Sequence, residues 1–182
     1  MVQPAHEESL TAEQFFALPD RDFMELLDGR LVPVTPTGAI HGRVEVRLAR
    51  LLDEFLERTG AGWILSGEVG VITRRGPDRV RGVDLALVSR KQASEIPDGF
   101  LTFPPELIAE VVSPNDRWRD IQGKLDEYFA AGVQQVWILD PKSRQILVYA
   151  SPTEASRYGI GDRVPASGSL AGLELEVEQV FA

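Results

Sequence analysis

Apolar positions along this chain recur with two periods, and the changes of period mark its elements. Thr11-Ala-Glu-Gln14 has capping-box spacing, and Phe15, Phe16 and Leu18 follow, which predicts a short helix over 11–18. Two apolar runs, 23–27 and 30–33, flank Asp28-Gly29, the strongest short signal for a hairpin. Val44, Leu48, Leu51, Leu52, Phe55 and Leu56 recur at helical spacing and predict a helix over 41–59, stopped by Gly60. Residues 63–65 and 69–72 read as two strands, 75–78 as a turn, and 83–88 as a continuously apolar strand. Further strands are predicted over 106–112, 133–139 and 145–149. A helix over 117–131 ends at Gly132, with its start carried by 113–116. The alternating segment 173–177 reads as an edge strand or a final turn onto the core. The order α-β-β-α-β-β-β-β-α-β-β describes an α/β fold, a mixed sheet with flanking helices.

Length fits one domain over 11–182 behind a disordered lead over 1–10. No apolar run is long enough to cross a bilayer, and the acidic N-terminus is unlike a signal peptide. Cysteine is absent, which excludes disulfides and thiolate chemistry and fits a cytoplasmic location. The two histidines, His6 and His41, exclude a three-histidine metal site in one chain. No GxGxxG, P-loop or GxSxG is present, so a nucleotide cradle and a serine hydrolase are unsupported. The net charge of −9 argues against non-specific grip on DNA. That charge is uneven. Residues 1–28 carry seven acids against one Arg, whereas 74–91 carry six bases against two acids.

The informative feature is acid inside apolar strands. Asp84 is the sole charge in Val83-Asp-Leu-Ala-Leu-Val88, and Glu110 lies within Leu107-Ile-Ala-Glu-Val-Val112. An unpaired buried carboxylate costs several kcal/mol, and two in neighbouring strands repel. A bound cation removes both penalties, and hard ions such as magnesium favour carboxylate oxygens. Period two puts Glu106 on the same side as Glu110. Spacing alone leaves two readings for each remaining candidate. Glu25 is a third acid of the cluster or an outward residue of the hairpin. Lys124 flanks the buried stripe of Trp118, Ile121, Leu125, Tyr128 and Phe129, and either leans toward the strand ends or pairs with Asp120 on the surface. His41 opens a helix as a site residue or a solvated one. Trp63, Trp118 and Trp137 read as core.

The order Glu25, Asp84, Glu110, Lys124 resembles the PD-(D/E)XK nuclease superfamily. More narrowly, the chain resembles the Uma-type restriction endonuclease family. The matching stretches are Met24-Glu-Leu-Leu-Asp-Gly29, His41 at a helix start, Arg81-Gly-Val-Asp-Leu85 and Pro105-Glu-Leu-Ile-Ala-Glu-Val-Val-Ser-Pro114. Arg119-Asp-Ile-Gln-Gly-Lys124 with Tyr128, and 131–141, complete them. The superfamily's Pro-Asp is Val83-Asp84 here, and the lysine of Glu-x-Lys is absent from the strand, with Lys124 on the next helix as its replacement.

The resemblance implies a restriction-endonuclease-like core and a Mg2+- or Mn2+-dependent endonuclease hydrolysing DNA. It assigns the metal to Asp84, Glu110 and the Val112 carbonyl. Lys124 and Glu25 join Asp84 and Glu110 as catalytic residues, with His41 and Glu106 as accessory candidates. Arg74, Arg75, Arg79 and Arg81 are candidate phosphate contacts or a solvated hairpin tip. DNA binding is expected to be weak without metal, because the acids repel phosphate. Apolar edge strands in the C-terminal third suggest a homodimer. The alternative is a catalytically silent binding or regulatory module with the nuclease fold.

Overall fold

The computed structural model describes residues 9–114 and 116–182. The expected lead lies outside them except for its last two residues, where Leu10 N–H donates to Gly29 O at 2.9 Å. Helix α1 (Ala12–Phe16) carries the expected capping box between Thr11 and Gln14. Strands β1 (Met24–Leu27) and β2 (Arg30–Pro33) form the hairpin across Asp28-Gly29. Helix α2 (Ala39–Thr59) ends on Gly60 in the left-handed conformation that glycine supplies without strain. Strands β3 (Gly62–Arg74), β4 (Arg79–Ser89) and β5 (Leu107–Val111) follow, then α3 (Trp118–Ala131), β6 (Gln135–Asp140), β7 (Gln145–Ser151) and β8 (Glu154–Tyr158). A small second sheet of β9 (Arg163–Val164) and β10 (Leu175–Glu176) precedes α4 (Val177–Phe181).

The main sheet runs β2-β1-β4-β5-β6-β7-β8, with β3 also paired to β4. Among the described residues its one parallel strand pair, β5 with β6, is the pair joined through α3. Alternation along the central strands sorts side chains to two faces. Leu85, Leu87, Ala109, Trp137 and Leu139 pack under α2 and α4 with Leu48, Leu52 and Val180. Ala86, Val88, Ile108, Val136 and Ile138 pack under α3 with Leu125 and Tyr128. The result is three layers, helix–sheet–helix.

Three expectations change and a fourth resolves between its alternatives. The two strands over 63–72 are one strand interrupted by a bulge. Trp118 is 54% exposed, because α3 begins there and its buried stripe starts one turn later at Ile121. The edge strand β8 is polar and mostly exposed, so it offers no apolar edge to a second copy. The tail combines its two alternatives, a two-residue strand and a helical turn whose Val177 and Val180 pack onto the core.

Candidate active site

Strand β4 pairs with β3 along the whole of one edge except at a bulge opposite Asp84, while its other edge is divided. β1 meets it at Leu26↔Val80 only, and β5 pairs from Leu85↔Ala109 to Leu87↔Leu107. Arg81 to Asp84 lie between, with no strand beside them on that edge among the described residues. Buried backbone groups need partners, and carboxylates supply them. Glu25 Oε1 accepts from Gly82 N–H at 3.1 Å, and Asp84 Oδ2 accepts from Val111 N–H at 2.7 Å. The acids are therefore part of the sheet's own hydrogen bonding at the point where it splits.

A β-bulge stands opposite. Between the pairs Ser66↔Leu85 and Val69↔Val83, Gly67 and Glu68 together face Asp84. Both have positive φ, 91° and 58°. Bulges redirect side chains and are common beside active sites. Here the bulge carries Glu68 over Gly82, whose missing Cβ would stand 2.7 Å from Glu68 Oε2.

The helices bring the remaining groups. From the first turn of α2, His41 Nε2 lies 3.1 Å from Asp84 Oδ2, and its Nδ1 lies 4.0 Å from Glu45 Oε2. From α3, Lys124 Nζ lies 3.2 Å from both Glu110 oxygens, and Tyr128 Oη donates to Glu110 Oε1. His41 is buried, and its Nδ1 has no hydrogen-bond partner among the described residues. Asp84 is an acceptor, so Nε2 carries the proton and neutral His41 presents a bare lone pair at Nδ1. Glu45 is an acceptor as well. A proton or a cation satisfies both.

The electrostatics point the same way. Burial pushes the Glu110 carboxyl up to about 7; the Lys124 charge opposes this and the Asp84 charge adds to it. Burial first, then Asp84, raises Glu45 and Glu68 too. Burial disfavours charge on His41, but its hydrogen bond to Asp84 and the Asp84 charge prevail and raise it. Burial likewise disfavours the Lys124 ammonium, yet Glu110, Glu25 and Asp84 push it up to about 12. One ammonium faces several carboxylates, a surplus of negative charge that a divalent ion relieves. His41, Glu45 and Asp84 offer ligand atoms within 4.8 Å of one another, a mixed nitrogen–oxygen set.

The structure brings Glu25, His41, Asp84, Glu110 and Lys124 to this split. Glu25 is buried rather than outward, and Lys124 meets Glu110 rather than Asp120. Val112 lines a small cavity of about 60 Å³ beside Glu110 and Lys124. Glu106 is elsewhere. It lies at the opposite end of β5, accepting from Ser169 N–H at 2.6 Å and Ser169 Oγ at 2.8 Å.

The four arginines of 74–81 are committed to carboxylates of the same chain. Arg74 pairs with Asp28, Arg75 with Glu13 and Asp78, Arg79 with Asp28 and Glu127, and Arg81 with Glu25 and Glu127. Glu45, Glu68 and Glu127 carry no signal in the sequence that marks them as site residues. Glu45 reads as surface between Arg43 and Arg47, and Glu68 falls in the break between two supposed strands. The complementary charge of 1–28 and 74–91 is the one sequence signal consistent with the ion pairs, and it reads equally well as a phosphate patch.

A mixed sheet between helices, split over buried carboxylates, defines a restriction-endonuclease-like α/β protein. The chain belongs to the Uma2 family, described as "Putative restriction endonuclease", which matches residues 12–178. No curated protein matches its sequence. Its fold is similar to a crystal structure described as "a putative nuclease belonging to DUF820 from Anabaena variabilis ATCC 29413". The TM-score is 0.79 at 16% identity, over 94% of this chain and 97% of the other.

Proposed function

We propose that residues 11–182 act as one endonuclease domain that hydrolyses DNA phosphodiester bonds with Mg2+ or Mn2+. The observation that carries this reading is the buried His41 Nδ1 facing Glu45 beside Asp84, three ligand atoms close enough together to share one cation. Asp84 and Glu110 would hold the ion, joined by His41, Glu45 and the Val112 carbonyl. Carboxylates suit magnesium and manganese alike, and the imidazole shifts preference toward manganese. When bound, the ion supplies an acidified water and neutralises charge on the phosphate. Lys124 has three donors and directs two to Glu110, leaving one for the attacking water or a phosphate oxygen. Tyr128 holds Glu110 in place from the core side. Glu25 fixes the Gly82 backbone and the Arg81 guanidinium at the rim.

The direct test is supercoiled plasmid incubated with purified protein and Mn2+ or Mg2+. Nicking that disappears with a chelator is the expected result. A silent binding module is the second reading, favoured by the pairing of all four arginines of 74–81 with internal acids. Intact plasmid and intact single-stranded oligonucleotide under every cation, with cation-dependent thermal stabilisation retained, would favour that reading instead.

Metal response should also depend on pH. The folded-state pKa of Glu110, about 7, lies above that of an unfolded glutamate, about 4.3. Its protonation therefore favours the folded state below the unfolded value, and that stability is lost as pH rises through about 7. A cation binds the ionised form, so protons compete with it. The Mn2+-induced rise in Tm is expected to be larger at pH 8 than at pH 6. Equal shifts at both would remove the groups raised by this site, Glu110 and His41 among them, from the ligand set.

A further inference from the structure

A cleft of about 440 Å³ opens next to the carboxylates, within the roughly 300–1,000 Å³ range of small-ligand sites. Phe16, Phe23 and Phe100 line it, with Arg21 at the same cleft and Glu25 and Glu68 in its wall. Phe16 is 40% and Phe23 60% exposed, so two large rings face solvent here rather than a core. Phe16 and Phe100 meet edge to face at 5.0 Å, and Arg21 stacks over Phe16 at 4.7 Å. Phe23 has φ 58°, a backbone region that bulky residues rarely occupy and that concentrates at functional sites. Gly70 makes room for Phe100, whose ring stands 2.1 Å from where a Cβ at residue 70 would be.

Ring faces, carboxylate acceptors and one guanidinium are the groups that recognise an unstacked nucleobase. The rings stack on it, Glu68 accepts from an exocyclic amine, and Arg21 complements the adjoining phosphate. A continuous duplex keeps those base faces covered. The arginines of 74–81 are paired internally, which withholds them from the phosphate backbone of a duplex. We propose that this cleft binds one nucleobase of a single-stranded segment, making an unpaired strand the substrate; this rests on the nuclease reading above. Continuity supports it, because Glu25 belongs to both the cleft wall and the split in the sheet.

The test is fluorescence anisotropy of the full chain with Ca2+, an oxygen-liganded divalent ion. Three probes of equal length are compared: a 20-nucleotide single strand, its duplex, and an abasic strand of tetrahydrofuran units. Stacking of one base is worth about 1–3 kcal/mol, so the single strand should bind roughly tenfold tighter than the other two. Phe16→Ala and Phe23→Ala should each weaken single-strand binding about fivefold or more and leave abasic binding unchanged. Equal affinity for all three probes, or unaltered binding by both variants, overturns the cleft assignment. Plasmid nicking alongside that flat result leaves the nuclease reading intact. Ring-dependent single-strand binding without cleavage of plasmid or oligonucleotide sustains the cleft and overturns the nuclease reading.

Discussion

Asp84→Asn is expected to abolish both the cation-induced rise in Tm and plasmid nicking, while the metal-free protein stays as stable as the parent. The asparagine oxygen can still accept from Val111 N–H, now satisfied by Asp84 Oδ2 at 2.7 Å, so the sheet keeps its bond at the split. His41 Nε2 also keeps an acceptor nearby. What disappears is the charge that raises Glu45, Glu68 and Glu110. Repulsion among the remaining acids falls, which offsets the weaker hydrogen bonds. Loss of one metal-held charge worth about 3 kcal/mol in the transition state corresponds to roughly 100-fold in rate. Differential scanning fluorimetry with and without Mn2+, beside plasmid nicking, reads both effects. A variant that keeps the full Mn2+ shift would take Asp84 out of the metal site.

Arg81→Met should produce the largest loss of stability. Arg81 is 14% exposed and joins Glu25 and Glu127, each 8% exposed, at 2.8 Å. Glu127 would retain Arg79 and Thr73, but Glu25 would be left with the Gly82 N–H as its only donor among the described residues. Removing one partner of a buried pair costs about 3–5 kcal/mol, because the other charge stays buried. For a chain of this size that is a fall in Tm of roughly 6–20 °C. Adding Glu25→Gln to Arg81→Met should recover part of it, as coupled neighbours are not additive. A change under about 2 °C would mean that solvent reaches Glu25 and replaces the guanidinium.

Much of this arrangement is legible in the sequence. The Val83–Val88 run is buried throughout, as its unbroken apolar character requires, and Asp84 is its one acid. Caps at Thr11, Gly60 and Gly132 follow local rules that tertiary contacts do not override. Lys124 falls where helical periodicity places it, at the flank of the buried stripe. Other features depend on distance in the chain. Glu68 is aimed by a bulge that no alternation pattern reveals, since Gly67-Glu68 reads as a break. Glu127 stands beside Tyr128 on a helix face that looks solvated, yet it receives two arginines from 46–48 residues upstream. The arginines read as a phosphate patch because their partners, Glu13, Glu25 and Asp28, lie in a separate acidic block. Opposite charge blocks of one chain neutralise each other more cheaply than either recruits a ligand.

The divided edge of β4 also decides what this site can sense. α2 covers one face of the sheet and α3 the other. A continuous sheet would stand as a wall between His41 and Lys124. Because β1 and β5 stop short of each other, the middle layer has a window, and groups from both outer layers converge through it on Asp84 and Glu110. Slippage of either helix by a single turn, about 5.4 Å, would carry its donor out of reach. Cation affinity at the window is therefore a gauge of how the three layers are stacked, readable without any substrate.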